Sequence, residues 1–184
     1  MSSGEGIAVI LGCVLAGGQS TRFGSDKALA ELDGQTLLSR AVDALSGWCE
    51  FVVVAGRPTA PAPTLPDWPG PGMGPLAGLA AALHHARDEG FDAVLTCGVD
   101  SPGLPRDLPE LLSPAPAYLA SQPVIGLWQV NSVAAIETIL ESDGRHSMMR
   151  FAGAIGARPV NVGAEPANIN TPADLAGAEK RDGL

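Results

Sequence analysis

An apolar run from Ile7 to Leu15 passes directly into the turn Ala16-Gly17-Gly18-Gln19-Ser20-Thr21-Arg22-Phe23-Gly24-Ser25-Asp26-Lys27, and this junction constrains the fold more than any other stretch. A strand that ends in small residues and leads to two cations is a way to build a phosphate cradle. Gly17 and Gly18 admit backbone conformations closed to other residues and bring N–H groups close to a ligand, while Arg22 and Lys27 offset polyphosphate charge. A nucleoside triphosphate is the expected occupant. The turn is neither of the common phosphate loops. Gly24 is followed by Ser25-Asp26 and Lys27 by Ala28, so G-x-x-x-x-G-K-[ST] cannot be read, and the stretch holds no G-x-G-x-x-G.

The background on which these cations sit is acidic. The 184 residues carry 11 Lys and Arg against 20 Asp and Glu, a formal net charge of -9. That balance repels a nucleic-acid backbone or an anionic membrane surface, so neither is an expected partner. It also argues that a divalent cation shares the neutralisation of a bound polyphosphate. Cys13, Cys49 and Cys97 are odd in number and widely spaced, as in a reduced cytoplasmic protein. The start Met1-Ser2-Ser3-Gly4-Glu5 has no basic region of a signal peptide, and the Ile7–Ala16 run is too short to span a bilayer. A cytoplasmic location is expected.

Apolar runs alternate with helical patterns along the chain, the signature of β-α units around a mostly parallel sheet. Strands are expected at Ile7–Leu15, Phe51–Ala55, Phe91–Thr96, Val124–Val130 and Pro159–Val162. Helices are expected at Thr36–Leu45, Pro75–Ala86, around Leu108 to Leu112, from Val133 to Leu140, at Ser147–Ala154 and at Pro172–Lys180, the last capped by Thr171. Arg57 to Gly74 is so dense in proline and glycine that it reads as a surface loop. The expected architecture is one three-layer α/β/α domain over residues 1–184, with a mixed, mostly parallel, Rossmann-like sheet. Asp100-Ser101-Pro102 follows the Phe91–Thr96 strand at its carboxyl end, where open α/β sheets bind ligands.

The opening motif resembles L-A-G-G-x-S-x-R-[MF]-G-x-D-K of the pyrophosphorylase-like nucleotidyltransferases, within which the chain is most similar to the molybdenum cofactor guanylyltransferases. Three further stations fit in the family's order. Gly74-Pro75-Leu76-Ala77-Gly78-Leu79 resembles the G-P-L-A-G segment, and its glycines either meet the nucleotide at a helix start or pack the helix on the sheet. Gly98-Val99-Asp100-Ser101-Pro102 stands where the family has P-C-D-x-P, keeping the aspartate and the proline. Asn168-Ile169-Asn170-Thr171-Pro172-Ala173-Asp174-Leu175 resembles N-[VI]-N-T-P-x-[DE]-L, and period-two spacing puts both asparagine amides on one side of an extended segment.

The resemblance implies an Mg-dependent transferase that moves GMP from GTP to the terminal phosphate of the molybdopterin form of molybdenum cofactor, releasing pyrophosphate. It implies a GT-A-like fold and names GTP, that cofactor and cofactor-delivery proteins as partners. Arg22, Lys27 and Asp100 become the catalytic candidates, with Asp100 as the Mg²⁺ ligand. Leu15, Ala16, Gly17, Gly18, Lys27, Asp67, Gly74, Gly78 and Asp100 become the nucleotide-binding set, and Asn168 with Asn170 the acceptor-binding pair. Two departures bear on specificity. Ala55 stands where some family members carry a nucleotide-contacting asparagine, and Ser113 to Ser121 is short where the family borders its acceptor pocket. A cytidylyltransferase of the same cofactor, another small-molecule nucleotidyltransferase and a nucleotide-binding regulatory module are the alternatives. His84, His85, His146, Cys97, Trp48, Trp68 and Trp128 form no constellation that calls for a site.

Overall fold

The computed structural model describes residues 8–18 and 23–182, except the side chains of 181 and 182. Its elements run β1 (Ile10–Leu15), β2 (Glu31–Leu32), β3 (Gln35–Thr36), α1 (Leu37–Ser46), β4 (Phe51–Ala55), β5 (Thr64–Leu65), α2 (Pro75–Glu89), β6 (Ala93–Gly98), α3 (Leu108–Leu111), β7 (Ala117–Leu119), β8 (Gln122–Gln129), α4 (Val133–Leu140), α5 (Met148–Ala154), β9 (Arg158–Val160) and α6 (Pro172–Asp182). Seven strands form one sheet in the order β5-β4-β1-β6-β8-β7-β9. The half from β5 to β6 is parallel throughout. β8 runs antiparallel to both of its neighbours, and β9 is parallel to β7.

Alternation along the central strands divides the core into two layers. Leu11, Cys13, Leu15, Val53 and Ala55 face α2, α4 and α5, whereas Val14, Val52 and Val54 face α1 and α3. α1 begins where the Thr36 hydroxyl accepts from Ser39 N at 3.1 Å, and α2 begins at Pro75 and ends at left-handed Gly90. Each buried leucine of α2, among them Leu76, Leu79 and Leu83, contributes about 1.5–3 kcal/mol to holding that helix on the sheet. A third cluster joins Phe23, Leu32 and Leu37 to Ile169 and Ala178, which docks the α6 region over the segment after β1.

The expected strands and helices are present, with shifted ends and three additions. β6 starts at Ala93 and runs on to Gly98, β8 starts at Gln122, and β9 is displaced to Arg158–Val160. Asp33 and Gly34 both have positive φ and close a two-residue hairpin between β2 and β3, the chemistry that Asp-Gly supplies. The proline-rich loop contributes β5 at the sheet edge, where a two-residue strand is compatible with the prolines around it. Ser113 to Ser121 holds the buried strand β7. Within this stretch Ala117–Leu119 lies in the sheet between β8 and β9.

One backbone contact fixes where β1 and β4 deliver their loops. Ala16 N donates to Ala55 O at 3.0 Å, and the chains then meet at Gly17 and Gly56. A Cβ on Gly56 would lie 2.5 Å from the Cα of Gly17, and Gly56 has φ of 83°. Both a side chain and an L-residue backbone are excluded there. Gly56→Ala is expected to destabilise the protein by about 2 kcal/mol or more, because strain at positive φ adds to the clash. Urea denaturation checks this against Gly70→Ala, whose Cβ would meet nothing within 4 Å and which should be near neutral.

Candidate active site

Three stretches distant in sequence converge beyond the carboxyl ends of β1 and β6. Leu15, Ala16, Gly17 and Gly18 line one side of a cleft, and Lys27, in a short 3-10 turn over Lys27–Leu29, lines another. Asp100 closes it from the end of β6. Lys27 Nζ lies 3.8 Å from Asp100 Oδ2 and 3.5 Å from Asn170 Oδ1. The two asparagines are joined, Asn170 Nδ2 donating to Asn168 Oδ1 at 3.0 Å. Arg22 lies outside the described residues.

Each of these positions is held from behind. The backbone of the asparagine segment is tied to β6, with Ile169 N donating to Asp100 O at 2.7 Å. Asp174 Oδ2 accepts from Asn170 N at 3.0 Å and Thr171 N at 2.8 Å, while Thr171 Oγ1 accepts from Asp174 N at 3.2 Å. This capping box anchors the segment to α6. The hydrogen bond from Asn170 N leads the effects that hold the Asp174 carboxyl below its usual range. Buried Ser101 donates to Gln122, and Gln122 Nε2 donates to Pro166 O at 2.9 Å, linking the loop after β6 to the start of the asparagine segment. Neither Ser101 nor Gln122 is among the sequence-based site candidates; no local pattern marks a pair 21 residues apart.

Gly98 explains the departure from P-C-D-x-P. A Cβ there would lie 2.6 Å from Asp100 Oδ1, so the glycine leaves room for the carboxylate to fold back over the strand end. The carboxylate is 30% exposed. Among the described residues no three His, Cys, Asp or Glu side chains cluster as a metal cage. A strand-end carboxylate facing this cleft is of the kind Mg²⁺ takes, since that ion binds one or two carboxylates and fills its shell with water and phosphate oxygens.

The remaining nucleotide candidates separate into two groups. Gly74, at the N-terminus of α2 with φ of 70°, is exposed. Gly78 is buried one turn further on, where a Cβ would lie 3.0 Å from Leu15 Cδ2 and 3.1 Å from Ala55 Cβ. Gly78 thus brings α2 down onto β1 and β4, the packing alternative of its two readings. Asp67 reaches the same junction. Its carboxyl oxygens lie 3.4 Å from where a Gly17 Cβ would be and 3.3 Å from where a Gly56 Cβ would be, and burial pushes its pKa up. His84 is half-buried: its Nε2 lies 2.7 Å from Glu137 Oε1 and its ring packs edge-on against Trp68, tying α2 to α4 and to the proline-rich loop.

The model for the MobA-like NTP transferase domain matches residues 12–157. The chain belongs to that family. A protein of Rhodobacter capsulatus named molybdenum cofactor guanylyltransferase is 40% identical over 184 residues, covering 94% of this chain and 96% of its own. One of the same name from Acidiphilium cryptum is 39% identical over 180 residues, covering 90% of this chain and 92% of its own. In structure the family fold extends to molybdopterin-guanine dinucleotide biosynthesis protein A of Archaeoglobus fulgidus, with TM-score 0.70 at 18% identity over 95% of this chain and 99% of that one. A 2-C-methyl-D-erythritol 4-phosphate cytidylyltransferase of Thermus thermophilus has TM-score 0.63 at 20% identity over 97% of this chain and all of that one. The family model stops before Asn168, whereas the Rhodobacter alignment is long enough to span nearly the whole chain. Among the described residues, no helix is long and apolar enough to cross a membrane.

The raised pKa of Asp67 carries a stability consequence. A carboxyl whose folded pKa lies above its unfolded value costs stability once the pH is above both, and costs nothing below both. Asp67→Asn is therefore expected to raise the melting temperature at pH 7, with the gain shrinking as the pH falls through the carboxylate range. Thermal melts of both proteins from pH 7 to pH 3.5 check the sign.

Proposed function

We propose that this protein is a molybdenum cofactor guanylyltransferase, joining GMP from GTP to the terminal phosphate of the molybdopterin form of the cofactor. The observation that carries the reading is the meeting of Lys27, Asp100 and Asn170 at the mouth of the Gly17-Gly18 loop. Family membership and two relatives of that name at 39–40% identity support it.

In this reading an oxygen of the acceptor phosphate attacks the α-phosphorus of GTP, a new anhydride bond forms, and the bond to the bridging oxygen breaks to release pyrophosphate. The attacking oxygen is already ionised at neutral pH, so no residue need take a proton from it. Catalysis is then positioning and charge neutralisation. Backbone groups of Leu15 to Gly18 lie against the nucleotide, Lys27 and Arg22 oppose its phosphates, and Asn168 and Asn170 face the acceptor. Asp100 would hold Mg²⁺, which supplies positive charge to the phosphates. Asp67 and Gly74 stand where the nucleoside half would lie, on the α2 side of the loop.

The alternative base is cytosine, since Ala55 offers no side-chain hydrogen bond for base choice and the fold is shared with a cytidylyltransferase. Pyrophosphate release measured with GTP, CTP, ATP and UTP, with Mg²⁺ and with or without molybdenum cofactor, separates these readings. GTP-selective release that requires the acceptor is expected, and Lys27→Ala should lower it ~100-fold or more, the scale of losing one electrostatic contact to developing charge. CTP selectivity would move the assignment to the sister reaction. Full turnover by folded Lys27→Ala protein would remove Lys27 from the mechanism.

A further inference from the structure

The turn that carries Lys27 has a carboxylate in the wrong place for a phosphate site. Asp26 lines the cleft with Gly17, Gly18, Lys27 and Asp100, and a polyphosphate entering there meets its charge. Asp26 is nevertheless neutralised by a residue from another loop. Arg57 Nη1 lies 3.0 Å from Asp26 Oδ1, and Nη2 lies 2.7 Å from Asp26 Oδ2, a two-pronged pair of the strong, directional kind. Asp26 Oδ1 also accepts from Ala28 N at 3.2 Å, so the same carboxylate caps the turn.

Where Arg57 originates matters as much as where it ends. It directly follows Gly56, the residue whose backbone touches Gly17. The loop after β4 therefore grips both ends of the signature loop, through backbone contact at Gly17 and through the guanidinium at Asp26. The Arg57 side chain is 16% exposed, and its Nε is buried without a hydrogen-bond partner among the described residues. A buried donor without an acceptor costs stability, and the fork on Asp26 offsets that cost.

We propose that Arg57 is a positioning residue for nucleotide binding: it cancels the charge of Asp26 and pins the turn, so that Lys27 is presented to the phosphates and Asp26 does not compete for it. The assignment rests on the nucleotidyltransferase reading above. Without Arg57, the Asp26 carboxylate both repels the triphosphate and attracts the neighbouring ammonium. The effect falls on binding of the nucleotide and not on the chemical step.

Steady-state kinetics with GTP, Mg²⁺ and molybdenum cofactor, together with calorimetric titration of GTP and Mg²⁺ alone, test this in Arg57→Ala, Asp26→Asn and the double variant. Arg57→Ala should raise KM and Kd for GTP about tenfold, as for the loss of one charge-assisted pair, with kcat held within about threefold. Adding Asp26→Asn removes the uncompensated carboxylate and should bring KM back to within about threefold of wild type, a coupling that lost structure alone would not give. Should Arg57→Ala fail to fold, Arg57→Gln keeps the size without the charge and carries the same expectation. An unchanged KM in the single variant, or a double variant no better than the single, overturns the proposal. A wild-type protein that neither binds nor consumes GTP contradicts the functional reading itself and is seen before any variant is compared.

Discussion

The site depends on two backbones that touch without a side chain between them. β1 and β4 are parallel neighbours, so their following loops leave the sheet side by side, and only Gly17 against Gly56 lets them run in contact. That contact sets the height of the Gly17-Gly18 turn above the strand ends, and Gly78 then seats α2 against the same two strands. The desolvated carboxyl of Asp67 lies where these three glycines meet. Burial pushes its pKa up, so its ionised form at neutral pH costs the fold stability.

The second half of the site is assembled by hydrogen bonds between segments far apart in sequence. Asp100 at the end of β6 meets Lys27 from the β1 loop and Asn170 from the segment before α6. The asparagine segment is held by Ile169 N on Asp100 O, by the capping box of Thr171 and Asp174, and by Gln122 on Pro166 O. In a chain of net charge -9, few cations are available to oppose a triphosphate, and Arg57 is spent on Asp26. In the proposed reaction a divalent ion held by Asp100 would supply what the side chains do not.

Much of this was legible in the residue order because buried parallel strands and amphipathic helices write themselves as runs and periods. β1, β4, β6, α1 and α2 are of that kind. Short pieces are not: β5 and β7 have two and three residues, too few for a period to register, and the Asp33-Gly34 signal of the β2–β3 hairpin is flanked by strands of two residues each. Of the residues that meet at the cleft, those carried by a contiguous motif, Gly17, Gly18, Lys27, Asp100 and Asn170, were legible as candidates. Arg57, Ser101 and Gln122 were not, since each acts through a partner more than twenty residues away in an otherwise unmarked segment. Gly78 was ambiguous in sequence because a glycine that meets a ligand and one that meets a strand look alike, and only its burial against Leu15 and Ala55 distinguishes them.

In the proposed function the nucleotide's phosphates lie between the Gly17-Gly18 turn, Lys27 and Asp100, with a cation on Asp100. A crystal structure with Mg²⁺ and an α,β-methylene analogue of GTP tests it most directly. The triphosphate is expected against the turn, with Lys27 Nζ within hydrogen-bond reach of a phosphate oxygen and Mg²⁺ shared by the Asp100 carboxylate and the phosphates. A nucleotide bound in another part of the molecule, or a bound triphosphate whose cation makes no contact with Asp100, would contradict it.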